Sequence, residues 1–374
     1  MKKKALILYI SKFSGHFHAA CAIEKGLREV FGDVCVEKVD ALSYTNPILE
    51  KVINKAYLEV IKKKPEIWGN MYDNPDVVKK TKGAREALHK FNTKKMKKLI
   101  STHAPDIVYC TQAFPCGMVA GYKKTYGENL PLVGVLTDHA PHFYWLHDEV
   151  DHYVVPSEET ARILEQKGVP ADRIKSYGIP VDPKFRSDGD ARQIREKLGI
   201  EAERPVILIM GGTHGLGAIR ETVTTLAGDN ERRYQLLVVT GSNKKLYRRL
   251  KRFSRRKNRP DMHIFSYVDN IDELMQVSDL IVTKAGGMTI AEALVKRLPM
   301  VIVSPIPGHE RRNADYLVKN GVAVEAMDVD QIYQIVNDLI DSRSALNKMK
   351  KNAAKIARPE SAINIAKLAS DAFA

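Results

Sequence analysis

The sequence predicts an α/β protein made of two successive parallel-sheet domains, and three observations carry that prediction. Short apolar runs alternate with segments of helical spacing along most of the chain. The alternation stops once, at a polar stretch from Asp182 to Arg204, and then restarts. Two of the apolar runs lead directly into glycine pairs, Gly211-Gly212 and Gly286-Gly287. Strand, tight turn and helix make up the unit of a parallel sheet. Two such domains in tandem predict paired Rossmann-like folds with a cleft between them.

In the first half, Ala5–Ile10, Val34–Val39, Ile107–Cys110, Val133–Leu136 and Tyr153–Val155 are short and bounded by polar or turn residues, as buried parallel strands should be. Ala19 to Phe31 has helical spacing, and Ser157 to Lys167 reads as a helix with Ser157 at its N-cap. Beyond the polar stretch come PVILIMGG, YQLLVVTG, MHIFSY, LIVTKAGG and MVIVSPIPG. The expected division is residues 1–184, residues 185–357 and a terminal segment 358–374.

The totals bound the class. A chain of 374 residues with 44% apolar content is long enough for two full cores. No apolar run approaches the roughly 20 residues of a spanning helix. The opening MKKKALILYISKFSG has an apolar run of only about six residues, below the signal-peptide range, and reads as the first buried strand. Cys21, Cys35, Cys110 and Cys116 show no Cys-x-x-Cys spacing, so reduced thiols in a cytosolic protein are expected. The net charge of +14 is uneven: Thr45 to Ile100 carries fourteen Lys/Arg against six Asp/Glu, and Lys244 to Arg259 carries ten with no acid. Such patches attract nucleic acid, anionic lipid or phosphorylated substrates, and charge alone does not choose among them. No nucleic-acid recognition motif is present.

The stretch Leu280 to Asn313, LIVTKAGGMTIAEALVKRLPMVIVSPIPGHERRN, reads as strand, glycine turn, helix and strand. Glycines admit a ligand close to the backbone, and the following helix aims N–H groups and its positive dipole end at the same point, which suits a pyrophosphate. Glu292 falls about one turn into that helix, within reach of two ribose hydroxyls. Thr289-x-x-Glu292 also spells a capping box, and the residues alone favour that plainer reading. AGGMTIAEAL followed by PIPGHERRNA resembles the donor-binding signature of glycosyltransferase family 28. Within it the nearest likeness is to the diacylglycerol glycosyltransferase branch, which includes monogalactosyldiacylglycerol synthases and bacterial processive glucosyltransferases. The resemblance implies the GT-B architecture, with the last helix (Ser361–Phe373) crossing back to the first domain. It also implies a UDP-sugar site: Glu292 on the ribose, Gly286, Gly287 and Thr289 on the diphosphate, and Glu310 and Asn313 near the sugar. His309 stands where the family usually has Gln, which leaves the sugar preference open.

Three further motifs carry chemistry. Ser14-Gly15-His16 follows the first strand; a lone histidine there is more often an ordinary loop residue. The family carries a Gly-His at this point, preceded by more glycine than the Phe13-Ser14 found here, and its histidine is implicated on the acceptor side. An imidazole suits removal of a proton from a hydroxyl. Leu136 to Trp145 brings His139 and His142 close to His147 and His152, yet the spacing fits no zinc template. A Thr-Asp, a His four residues past the Asp and a Trp three beyond recur in the diacylglycerol branch. That makes Asp138 the rival base, or the carboxylate that orients a histidine, with His142 and Trp145 shaping the acceptor pocket. Gly211 to Gly217 reads as an anion-binding nest and matches neither a dinucleotide fingerprint nor a P-loop. The resemblance turns Gly212, Thr213 and Gly215 toward the diphosphate.

The pairs Asp188/Asp190 and Asp328/Asp330 read as linker and helix-start acids rather than metal ligands. Leaving-group charge is then expected to fall to loop amides and helix dipoles. Ile48, Leu49, Val52, Ile53, Ala56, Tyr57, Val60 and Ile61 recur at helical spacing beside lysines and Trp68, which suits an interfacial membrane surface. Lys244 to Arg259 reads first as a solvated helix face and second as a stretch that touches lipid. The expectation is an inverting enzyme, without metal or cofactor, that moves glucose or galactose from a UDP-sugar to diacylglycerol. His16 or Asp138 would be the base. The protein would be cytoplasmic and peripheral on the anionic inner face of the cell membrane, with no nucleic-acid partner. Two rivals are the N-acetylglucosaminyltransferase of peptidoglycan precursor synthesis, disfavoured by the Thr-Asp motif, and a basic nucleic-acid-binding protein.

Overall fold

The computed structural model describes residues 3–12, 14–47, 93–228 and 232–374. The chain divides into two compact units. The first comprises Met1–Pro183, Pro307–His309 and Glu360–Ala374; the second comprises Lys184–Ile306 and Glu310–Pro359.

The first unit holds a six-stranded sheet in the order β2-β1-β3-β4-β5-β6. Its strands are β1 (Lys3–Tyr9), β2 (Val34–Asp40), β3 (Ile107–Cys110), β4 (Leu132–Val135), β5 (His152–Val154) and β6 (Ile174–Lys175), all paired in parallel. Alternate residues of one strand serve two cores. Leu6, Leu8, Val108 and Cys110 face one cluster, while Ala5, Ile7, Tyr9, Ile107 and Tyr109 face the other. Burial on both faces explains why these strands read as unbroken apolar runs. The helix after β1 begins at Gly15, four residues before the expected Ala19, because the Ser14 side chain accepts from Phe17 N and caps it. Ser157 caps the helix Glu158–Gln166 by accepting from Thr160 N, as the sequence indicated.

The second unit holds another six-stranded parallel sheet, in the order β12-β11-β10-β7-β8-β9. Its strands are β7 (Val206–Met210), β8 (Gln235–Val239), β9 (Met262–Phe265), β10 (Leu280–Thr283), β11 (Met300–Val303) and β12 (Ala323–Ala326). In both sheets the winding reverses once, between β1 and β3 in the first and between β7 and β10 in the second. Connections leave such a point in opposite directions and open a crevice at the strands' carboxyl ends, where ligands of doubly wound sheets bind. Each reversal point here is bordered by predicted motifs.

Residues 360–374 cluster with the first unit, where the helix Ser361–Lys367 lies against the helix Gly15–Phe31. Gly26 makes the approach possible: a Cβ there would stand 2.4 Å from the Ala362 carbonyl oxygen. The Tyr109 hydroxyl donates to the Ile365 carbonyl at 3.3 Å, and Val181 N donates to Ser361 Oγ at 3.0 Å.

The segment Ile48–Ile61 and the Trp68 loop lie outside the described residues. Just beyond, a helix over 93–103 buries Thr93, Met96, Leu99 and Ile100 and exposes Lys94, Lys97 and Lys98. No helix among the described residues is long and apolar enough to cross a membrane.

Candidate active site

At the reversal of the first sheet, β1 is followed by Ser11, whose N–H donates to Asp40 Oδ2 at 2.9 Å. His16 is the second residue of the helix that follows. Its carbonyl accepts from Thr111 Oγ1 at 2.9 Å, and its Nδ1 lies 3.2 Å from Thr137 Oγ1. Thr111 follows β3 and Thr137 follows β4, so three strand ends fix one imidazole. Burial lowers the His16 pKa to about 4, against a smaller opposing effect of the Thr111 backbone. Asp138 is next in the chain to Thr137. Burial raises its pKa, and its Oδ1 accepts from Ala140 N at 3.0 Å.

His142 is buried with its pKa lowered to about 3 by desolvation and stacks loosely with Trp145, ring centroids 6.2 Å apart. Trp145 itself is 4% exposed and belongs to the core beneath the loop, its carbonyl accepting from the Tyr153 hydroxyl at 2.9 Å. That burial makes it an anchor of the loop that carries His142. His139 pairs with Ser157 Oγ at 3.3 Å and His147 with the Tyr144 carbonyl at 3.2 Å. Among the described residues, no three His, Cys, Asp or Glu side chains converge as metal ligands do.

At the reversal of the second sheet, the loop after β7 folds on itself. Gly215 N donates to Gly212 O at 3.0 Å and Leu216 N to Gly211 O at 3.1 Å. Two amides that a nest would offer to an anion are therefore occupied inside the loop. Gly215 has φ 57°, and a Cβ there would stand 2.1 Å from the Thr240 carbonyl oxygen, so its glycine serves close packing on the end of β8. Thr213 O accepts from Ser242 N at 2.8 Å, which locks the loop to the same strand end.

Across the reversal, β10 gives way to Lys284 and the helix Gly287–Val295, with Gly286 at its N-cap. Thr289 is the third helical residue and buried, so it is not an N-cap. The capping-box reading of Thr289 and Glu292 falls with that placement. Glu292 stands half-buried in the second turn.

His309 opens the helix His309–Lys319 and clusters, with Pro307 and Gly308, in the first unit. Glu310 and Asn313 turn inward. The Glu310 carboxylate is 2% exposed, pairs with the Lys284 ammonium, and accepts from Ile306 N at 3.0 Å. Asn313 is fully buried and donates from Nδ2 to Ala285 O at 2.9 Å. Both side chains brace the glycine turn that the donor is expected to approach. Lys284, absent from the sequence-based set, stands between the two glycine loops. A Cβ on Gly286 would lie 3.1 Å from its Nζ, one on Gly212 3.7 Å from its Cε, and one on Gly217 4.0 Å from its Cβ. The available signal was a lysine directly ending a buried strand.

Residues 16–181 match the monogalactosyldiacylglycerol (MGDG) synthase family, and residues 206–369 match the glycosyltransferase family 28 C-terminal domain. A processive diacylglycerol beta-glucosyltransferase of Bacillus cytotoxicus is 31% identical over 97% of this chain and 92% of its own length. A protein of the same name from Bacillus cereus matches at the same identity and coverage. The chain belongs to the diacylglycerol glycosyltransferase branch of glycosyltransferase family 28. It is thus a glycosyltransferase, and the fold class is GT-B. MurG of Acinetobacter baumannii superposes with a TM-score of 0.65 over 99% of each chain at 16% identity. MnaA of S. aureus, solved with UDP, gives 0.62 over 99% of this chain and 97% of its own at 15% identity. At such identities the likeness speaks for the fold alone.

In this glycosyltransferase each sheet reversal carries a different chemistry. The first gathers an imidazole, a hydroxyl and a carboxylate, the groups that accept and relay protons. The second gathers two glycine loops, a helix N-terminus and a lysine, the groups that hold anions.

Proposed function

We propose that the protein transfers a hexose from a UDP-sugar to the hydroxyl of diacylglycerol in a single inverting displacement, making a membrane glycolipid. The observation that carries this is the likeness to diacylglycerol glucosyltransferases over 97% of the chain, spanning both motif sets. The relatives' products are named beta, and a beta product from an alpha-linked UDP-sugar requires inversion at the anomeric carbon.

The acceptor hydroxyl attacks that carbon as the bond to the β-phosphate oxygen breaks. Its proton passes to the group formed by His16 and Asp138. Burial moves these two in opposite directions, His16 down to about 4 and Asp138 up. Asp138 is taken as the base, because burial raises its carboxyl and so strengthens it as a proton acceptor. His16, neutral at pH 7 and held by Thr137, orients the hydroxyl. His142 closes the acceptor side. On the donor side, Glu292 accepts the ribose hydroxyls and the turns at Gly212–Thr213 and Gly286–Thr289 carry the diphosphate.

The reaction is assigned no metal. Asp190 caps the helix Ala191–Leu198 and Asp328 accepts from Gln331 N at 2.9 Å, so both acids have backbone work already. The acceptor is a bilayer lipid, and the protein is proposed to dock peripherally on the anionic inner face of the cell membrane. Exposed Lys94 and Lys98 and the cationic helix Lys244–Arg256 support that.

Proton NMR of the lipid product made from UDP-glucose, with and without EDTA, tests this reading. A beta anomer formed equally in both is expected; an alpha anomer, or loss of product with chelator, contradicts it.

A further inference from the structure

We infer that Lys284 is the counter-charge for the donor's diphosphate, stored on Glu310 until the nucleotide arrives. The inference rests on the UDP-sugar reading above and adds to it a residue that neither loop amides nor helix dipoles supply.

The geometry is specific. Lys284 directly follows β10 at the reversal of the second sheet, and positions without side chains lie on both sides of it. The ideal Cβ of Gly286 would crowd its Nζ at 3.1 Å, while those of Gly212 and Gly217 would reach its stem at 3.7 and 4.0 Å. Gly286 has φ −71°, an ordinary value for any residue, so its backbone does not demand glycine; the missing Cβ leaves room beside the ammonium. The ammonium keeps a 15% exposed side chain, whereas its partner Glu310 is 2% exposed and has a second hold on Ile306 N. The carboxylate is fixed and the lysine is the member of the pair that can turn outward. The internal bonds of the Gly211–Leu216 loop occupy two of its amides, which leaves fewer backbone donors for a diphosphate and a place for a side-chain cation.

Its role in the step follows from charge. When the C1–O bond breaks, the electron pair stays on the β-phosphate oxygen and the departing UDP gains one negative charge. A cation already beside the diphosphate stabilises that charge more than it stabilises the intact donor, which speeds transfer as well as binding.

The test is calorimetric titration of the protein with uridine, UMP and UDP. Wild type should bind UDP about tenfold or more tighter than UMP, and the difference should shrink with salt. The double variant Lys284→Met/Glu310→Gln, which leaves no buried carboxylate unpaired, should lose about tenfold or more in UDP affinity while holding uridine within about twofold. Equal affinity of wild type for UMP and UDP overturns the inference without recourse to any variant. So does a double variant that binds UDP as wild type does, or that loses uridine and UDP alike. Absence of UDP binding by wild type overturns the donor reading itself, and this inference with it.

Discussion

His16 and Thr137, 121 residues apart in the chain, meet at 3.2 Å between Nδ1 and Oγ1. The contact joins the start of the helix Gly15–Phe31 to the segment after β4, where Asp138 follows Thr137 in the chain. Whichever of the two donates, the bond fixes the ring and leaves Nε2 to face the hydroxyl that His16 orients. Thr137→Val should therefore lower kcat with little change in UDP affinity, and Thr137→Ser should restore most of the loss. An unaltered kcat in the valine variant removes the orienting role.

Asp138→Asn and His16→Ala are each expected to reduce turnover by about 10²–10⁴-fold and to leave UDP binding intact. The aspartate variant has a second signature. A carboxyl whose pKa is raised by burial favours the folded state when protonated and opposes it once ionised, so its cost to stability appears as pH rises through the folded pKa. Asp138→Asn should thus raise Tm at pH 7 while abolishing activity. A lowered Tm would show that the carboxylate is held by compensating partners.

The buried imidazoles set the opposite trend. His16 is lowered from 6.5 to about 4, and His139 and His142 from 6.5 to about 3, each first by desolvation. Between those values and 6.5 the unfolded chain binds more protons than the folded one, so stability should fall as pH drops through that window. Denaturant melts from pH 7 to pH 4 check it; a flat profile would contradict the burial of all three.

Much of this fold was legible because parallel strands buried on both faces leave unbroken apolar runs such as LIVT and VILIM. The strands that escaped notice are the edges: β6 is two residues long, and β12, Ala-Val-Glu-Ala, carries Glu325, which takes the Arg311 guanidinium at 2.5 and 2.6 Å. An edge strand needs no apolar run. At the site, the motif residues were visible as residue types but not their orientation. The resemblance points to Glu310 and Asn313 as residues near the sugar, and tertiary burial adds that they brace the glycine turn. Lys284 carries only a weak local signal, a lysine directly after a buried strand, and its partner Glu310 is 26 residues away.

Gly26→Ala reverses a familiar sign. Alanine in a helix interior usually stabilises by about 1 kcal/mol relative to glycine. Here its Cβ would stand 2.4 Å from Ala362 O and push the Ser361–Lys367 helix away, a clash expected to destabilise by about 1–3 kcal/mol. Thermal melts of the variant decide it; an unchanged or raised Tm would mean that the terminal helix is not seated on Gly26.

Membrane docking is expected to rest on the cations without internal work. Lys95 already bonds to the Thr45 carbonyl and Lys97 lies 4.4 Å over the Tyr126 ring, which leaves Lys94 and Lys98 as the probes in the 93–103 helix. Each cation near an anionic surface contributes about 1 kcal/mol, so Lys94→Gln/Lys98→Gln should weaken vesicle binding about tenfold or more at low salt. Co-sedimentation that ignores both salt and lipid charge would make these lysines a solvated face.

The most direct measurement is incubation of the protein with diacylglycerol vesicles and, separately, UDP-glucose, UDP-galactose and UDP-N-acetylglucosamine, with the lipid products read by mass. A diacylglycerol enlarged by one or more hexoses, formed from UDP-glucose or UDP-galactose and reduced strongly by Glu292→Ala, is the expected result. No lipid product from either hexose donor, or transfer confined to the N-acetylglucosamine donor, would contradict it.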